Sequence, residues 1–160
     1  MLAKTILAAF IASAHGATMA TDTMEPWNVT DFKASCIAYS TICYMEMVVM
    51  TGSGYPMVGC SYIDTTVTDM YVPATEMTVC DWDTVSMSYT GQMSDESGRM
   101  NTLYVTAVSG PGTNITAEYQ FPETDWTMLQ YGASNVQVYI GAHSFLMANL
   151  TVVPNGMMPM

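Results

Sequence analysis

VSMSYT, Val85 to Thr90, is the stretch whose reading decides the fold. Val85, Met87 and Tyr89 alternate with Ser86, Ser88 and Thr90, so apolar and hydroxyl side chains fall on opposite sides of an extended chain. The segment over residues 100–108 repeats the pattern: Leu103, Val105 and Ala107 share one face, with Tyr104 and Thr106 on the other. No segment carries a convincing apolar repeat at i, i+3, i+4 and i+7, so the sequence does not predict amphipathic helices.

Outward from these two runs, β-branched and aromatic residues recur in short segments bounded by Gly, Pro, Asn or Asp. Strands are predicted over 27–33, 41–51, 57–63, 76–80, 85–90, 100–108, 114–121, 126–131, 135–140 and 144–151. About ten short strands at this spacing predict one all-β domain, an antiparallel β-sandwich or β-barrel. Thr51-Gly52-Ser53-Gly54, Ser109-Gly110-Pro111-Gly112 and Gly132-Ala133-Ser134 carry turn chemistry, and residues 94–98 read as a polar loop. Trp27, Phe32, Trp82 and Trp126 are expected as core or rim anchors. Seventeen Met residues stand against six Leu. Thioethers select copper(I) only when clustered, so Met45, Met47, Met50, Met87, Met100 and Met128 are read as core fillers.

The first cysteines sit in NVTDFKASCIAYSTIC, Asn28 to Cys43. The chain has four cysteines in all: Cys36, Cys43, Cys60 and Cys80. Four cysteines in an exported chain imply two disulfides, with three connectivities. Pairing Cys36 with Cys43 closes a short loop, and Cys60 with Cys80 a longer one. Pairing Cys36 with Cys60 and Cys43 with Cys80 stays open, and the nested pairing is the least attractive. The spacing is not that of a redox CxxC or a zinc ligand set, and no metal or other cofactor is expected.

Export is predicted by the start of the chain. Lys4 precedes an apolar run over 5–14, of the length of a signal-peptide h-region and too short to span a bilayer. Ala14 and Gly16 fit the −3 and −1 positions, so residues 1–16 are read as a leader, with cleavage after Ala20 as the alternative, and 17–160 as one secreted domain. Residues 151–160 lack the long apolar tail of a glycolipid-anchor signal, so no membrane insertion is expected. Three glycosylation sequons begin at Asn28, Asn114 and Asn149. Beyond residue 16, two basic residues stand against fourteen acidic ones, a formal charge of −12. Such a surface disfavours nucleic acid and anionic membrane as partners.

Catalytic motifs are scarce. The sequence holds no GxSxG elbow, HExxH, P-loop or GxGxxG. His143 is the one histidine beyond the leader and reads as a surface or rim residue. Asp81-Trp82-Asp83 is the most suggestive acidic cluster: two carboxylates across a cleft can hydrolyse glycosides, yet a Trp between two acids beside a cysteine is also ordinary loop composition. Glu123-Thr124-Asp125 reads as a solvated turn. No catalytic residue is therefore expected. Two further function classes stay open: a carrier of a small apolar or aromatic ligand, and a cell-wall carbohydrate-binding domain.

A resemblance adds to this. Trp27-Asn28-Val29-Thr30-Asp31-Phe32 is followed by Ala34-Ser35-Cys36, the Cys43 strand, Cys60-Ser61-Tyr62, and Cys80 ahead of a Ser/Tyr-rich strand ending near Tyr89. In that order they resemble fungal small secreted proteins of the hypersensitive-response-inducing type, and more distantly the β-barrel family typified by the major Alternaria allergen. The resemblance implies a secreted all-β elicitor or effector, perceived by a host plant protein and without catalytic residues. A disulfide-held surface combining the loop over 35–41 with the turn over 51–55 is the expected recognition site, because constrained loops bind with less ordering cost.

Overall fold

The computed structural model describes residues 24–68, 70–91 and 101–154. The leader over 1–16, Arg99, Met100 and the polar loop over 94–98 lie outside the described residues.

Among the described residues, eleven strands form two antiparallel sheets: β1 (Trp27–Cys36), β2 (Cys43–Met50), β3 (Met57–Asp64), β4 (Thr75–Val79), β5 (Val85–Thr90), β6 (Asn101–Gly110), β7 (Thr113–Phe121), β8 (Trp126–Tyr131), β9 (Ser134–Tyr139), β10 (Phe145–Met147) and β11 (Asn149–Pro154). The first sheet runs β3-β2-β1-β9-β8, with β10 also paired to β1; the second runs β11-β7-β6-β5-β4. The architecture is a sandwich and not a closed barrel, which decides between the two predicted forms.

The alternation read in the sequence builds the interface between the sheets. Val85, Met87 and Tyr89 of β5 are buried and stand opposite Ala107, Val105 and Leu103 of β6. Cys43, Met45, Met47 and Val49 of β2 point inward in the same period of two. Strand β1 breaks that period. Trp27 and Val29 are buried, then Phe32, Ala34 and Cys36. The change of parity coincides with a bulge between Thr30 and Lys33, where Asp31 takes φ 54°. One extra residue there turns the second half of the strand back toward the core.

Aromatic rings fill the centre. Phe32 of the first sheet stacks on Phe121 of the second at 4.9 Å and meets Tyr139 edge-on at 4.8 Å. Tyr119 stacks on Phe145 at 4.0 Å. Tyr89 donates its hydroxyl to Asn101 Oδ1 at 3.0 Å in the buried interior, and burial pushes its ionisation far up. Each such ring removes enough apolar surface from water to contribute about 1.5–3 kcal/mol.

The sequence reading differs from the structure in two places. The strand expected over 144–151 is two strands: β10 pairs with β1 in the first sheet, and β11 pairs with β7 in the second. Trp82, expected as an anchor, is 48% exposed, and Met128 lies on an exposed edge. The expected solvated turn at residues 123–125 is a 3-10 turn with no buried residue, and its Asp125 carbonyl accepts the Ile140 N–H at 2.7 Å.

Candidate functional site

Both disulfides pair locally: Cys36 with Cys43, and Cys60 with Cys80. Cys36 and Cys43 stand opposite each other where β1 and β2 end and begin, with Cα atoms 3.9 Å apart. The six residues between them are further tied down. Ile37 N–H donates to Ile42 O at 2.9 Å, Ile42 N–H to Ser40 Oγ at 3.0 Å, and Val67 N–H to Thr41 O at 3.0 Å. Thr41 Oγ1 donates to Thr65 O.

Tyr39 lies at the tip with φ 60° and 72% exposure, and Ile37 beside it is 46% exposed. The Tyr39 hydroxyl nevertheless reaches across to the carbonyl of Tyr131, the last residue of β8 before the turn to β9. That turn leaves room for it: a Cβ at Gly132 would lie 2.1 Å from the Tyr39 oxygen. The loop thus presents an exposed aromatic ring whose backbone and hydroxyl are both anchored.

The turn over 51–55 is not part of this surface. It follows β2, whereas the cysteine loop precedes it, so an eight-residue strand of roughly 25 Å separates the two. Ser53 in that turn donates from its N–H and hydroxyl to Glu25 at 3.0 and 2.7 Å. Those two bonds, the hydroxyl first, hold the Glu25 carboxyl below its usual value.

The second disulfide joins the two sheets. Cys60 belongs to β3, at the edge of the first sheet, and Cys80 follows β4, at the edge of the second. Asp81 N–H donates to Gly59 O at 2.8 Å beside it. The Asp81 carboxylate lies over Gly59, where a Cβ would fall 2.3 Å from Oδ2. A shallow groove of about 230 Å³ opens here, lined by Asp31, Lys33, Glu46, Gly59, Ser61 and Asp81 among others. Lys33 and Glu46 are direct cross-strand partners with an ion pair of 3.1 Å, and that bond raises the Lys33 pKa.

Asp81 and Asp83 flank exposed Trp82 in the turn before β5, whose Val85 N–H donates to Trp82 O at 3.0 Å. Both acids are exposed, and the Asp81 backbone is held to β3 by its N–H bond to Gly59 O. Among the described residues no group of three or more His, Cys, Asp or Glu side chains is placed to hold a metal ion. No helix among them is long and apolar enough to cross a membrane.

His143 has a structural place. Strand β1 is paired by β10 over residues 27–29 and by β9 at Ser35. His143 fills the gap between them: its carbonyl accepts Phe32 N–H at 3.0 Å, and its Nδ1 lies 2.7 Å from Phe32 O. A carbonyl only accepts, so Nδ1 carries the proton.

The three sequon asparagines occupy different environments. Asn28 is half-buried in β1, between β2 and β10. Asn114 is half-buried in β7, between β6 and β11, and its Oδ1 is buried without a partner. Asn149 is exposed on the edge strand β11. The Met and Tyr side chains with which a carrier would line a cavity, Met45, Met87 and Tyr89, are packed within the continuous core.

Comparison with protein-family models, with curated proteins and with solved structures finds no match to this chain.

The sequence pointed to the cysteine loop but not to Tyr39 as its anchored tip. Nor did it mark Gly59 as the contact for Asp81, although a glycine inside a strand is a sign of close approach.

Proposed function

We propose that the protein is a secreted recognition domain without catalytic activity, perceived by host plant cells through the loop closed by Cys36 and Cys43. The observation that carries this reading is Tyr39. A ring 72% exposed yet fixed at its hydroxyl and backbone loses little freedom on binding. Exposed, rigid aromatic side chains are the usual centres of binding energy at protein interfaces. Two disulfides in a sandwich of this size suit an oxidising extracellular setting.

The test is infiltration of leaves with purified folded protein, beside a reduced and alkylated sample and the Tyr39→Ala and Ile37→Asp variants. Cell death or an immune burst from the folded protein, lost in the alkylated sample and in both variants, is the expected result. Equal activity in all samples would place recognition in a linear epitope, and no response across a range of hosts would remove the elicitor reading.

A second reading rests on Trp82. Its 48% exposed ring between Asp81 and Asp83 offers a sugar both a stacking face and carboxylate acceptors. Retention on chitin, glucan or cellulose that disappears in Trp82→Ala would support wall binding. Absence of retention would dispose of it.

A further inference from the structure

The strands at the ends of the two sheet orders, β3, β8, β11 and β4, are not treated alike. Strand β3 is covered by the Cys80–Asp81 segment, through the disulfide and the bond to Gly59 O. Strand β4 has five residues, a register shift between Thr75 and Thr78, and Glu76. Strand β11 ends at Pro154 and begins at a sequon. Bulges, charges, prolines and covering segments are the devices that stop an edge from pairing with another chain. Strand β8, Trp126–Tyr131, carries no bulge, charge or proline, and Tyr39 of the cysteine loop touches it at its last residue, Tyr131. It pairs with β9 over six consecutive residues without a shift, and WTMLQY holds neither charge nor proline. Met128, Leu129 and Tyr131 are 40%, 38% and 49% exposed along it.

From this we infer that β8 is an association strand, and that its occupant is β8 of a second copy, added antiparallel about a two-fold axis. The turn to β9 has two residues, with Gly132 at φ 58° in its first position, the signature of a tight hairpin. The closing pair Tyr131 and Ser134 is then hydrogen-bonded, and alternate residues follow. Met128 and Gln130 therefore turn their N–H and C=O groups to the free edge, whereas the Trp126 N–H is taken by Glu123 O.

Self-pairing uses those groups in one simple register. With Leu129 opposite Leu129, Met128 stands opposite Gln130 and exchanges both backbone bonds with it, and the symmetry repeats the exchange. Thr127 stands opposite Tyr131, a favourable pairing of a β-branched residue with an aromatic one.

Charge leaves this edge open to a second copy. The chain carries −11 formally, so an approach that sets acid against acid is opposed. In the register above, Asp125 faces Ala133 of the copy instead of an acid. An isologous interface of this kind also closes after two copies and does not grow into fibres. One strand pair is smaller than a standard interface, so the dimer is concentration-dependent, with Kd on the order of micromolar to 100 µM.

Sedimentation velocity of the purified protein between roughly 1 and 500 µM tests this, across the range set by that Kd. The weight-average mass of the native chain is expected to rise toward twofold. Leu129→Lys puts like charges on the axis, and Met128→Pro removes an outward N–H without touching the ladder to β9. Both should stay at monomer mass, whereas Val152→Lys on β11 should associate like the native chain. Circular dichroism shows whether each variant is folded; if Met128→Pro is not, Leu129→Lys decides. A native chain that stays monomeric to the highest concentration, association kept in Leu129→Lys, or equal loss in Val152→Lys would overturn the inference.

Discussion

Gly59 and Asp81 share one position in space: the carboxylate of Asp81 lies where a side chain on Gly59 would begin, 2.3 Å from an ideal Cβ. The backbone bond from Asp81 N–H to Gly59 O holds the two together, one residue from the disulfide that joins the sheets. Gly59→Ala must therefore displace the carboxylate from a segment whose backbone is fixed. The expected loss is about 1 kcal/mol, in the usual range for a crowded site. Asp81→Ala removes the obstacle, so the double variant should recover most of that loss. Denaturant unfolding of both singles and the double gives a coupling of about 0.5–1 kcal/mol if the contact is as described, and none if Asp81 swings away freely.

His143 is expected to matter for stability and not for any reaction. Its imidazole donates to Phe32 O beside the bulge of β1, where neither β9 nor β10 supplies a partner. His143→Ala leaves that carbonyl to water and should lower stability by about 0.5–1.5 kcal/mol, the net contribution of one hydrogen bond. A urea midpoint unchanged within error would show that the bond contributes nothing.

The fold was legible because its strands obey a period of two. The runs at Val85–Tyr89 and Leu103–Ala107 state which side chains face inward, and the structure places them so. The change of sheet near Ala148 was harder to read. No glycine or proline marks it. The signal is a slip in parity, from Met147 buried in the first sheet to Leu150 packed on the core from the second. The candidate surface was half legible. Two cysteines seven positions apart identify a constrained loop, but the anchor of Tyr39 is Tyr131, ninety-two residues away. Pairing that loop with the turn at 51–55 failed for a reason the sequence contains, since loops before and after one strand lie at its opposite ends.

Acid should loosen two turns before it unfolds the sandwich. Glu25 accepts from the Ser53 hydroxyl and N–H, and Asp64 from the Thr66 hydroxyl and N–H, each bond at 2.7–3.0 Å. In both cases these bonds lower the carboxyl pKa, the side-chain bond first. A depressed folded pKa means that the contribution is complete above the unfolded value and is lost as pH falls through the folded one. Side-chain carboxyl resonances of Glu25 and Asp64 should titrate below ordinary Glu and Asp values. The amide protons of Ser53 and Thr66 should follow the same curves. Titration at ordinary values would mean that water replaces these bonds.

Among the sequons, Asn149 should carry the most glycan in protein secreted from a eukaryotic host. It is exposed on an edge strand, and Thr151 of the same sequon is exposed with it. Asn114 lies in a central strand, and its Thr116 is 3% exposed with a hydroxyl shared with Thr106 at 2.9 Å. Glycopeptide mapping should find Asn149 occupied well above Asn114, and Asn149→Gln should remove the main shift in mass. Preferential occupancy of Asn114 would contradict the exposure order.

The two disulfides should differ in what their loss does. Cys36 and Cys43 bridge strands already paired by the β1–β2 ladder, whereas Cys60 and Cys80 tie together strands of different sheets. Chain entropy alone separates them little: closing the shorter loop contributes about 2.5 kcal/mol and the longer about 3 kcal/mol. The native contacts separate them further. Replacing Cys60 and Cys80 by Ser removes the covalent link between β3 and the segment after β4, and with it the restraint on the Asp81–Gly59 bond. This variant should lose about 3 kcal/mol or slightly more, and the backbone amide of Asp81 should exchange with solvent much faster. Replacing Cys36 and Cys43 should lose no more than about 2.5 kcal/mol. Exchange in the Cys60/Cys80 edge should then stay native-like, and protection should be lost within the loop at Ile37 and Ile42. Equal losses with identical exchange patterns would mean that the sheets are held together without the bridge at their edge.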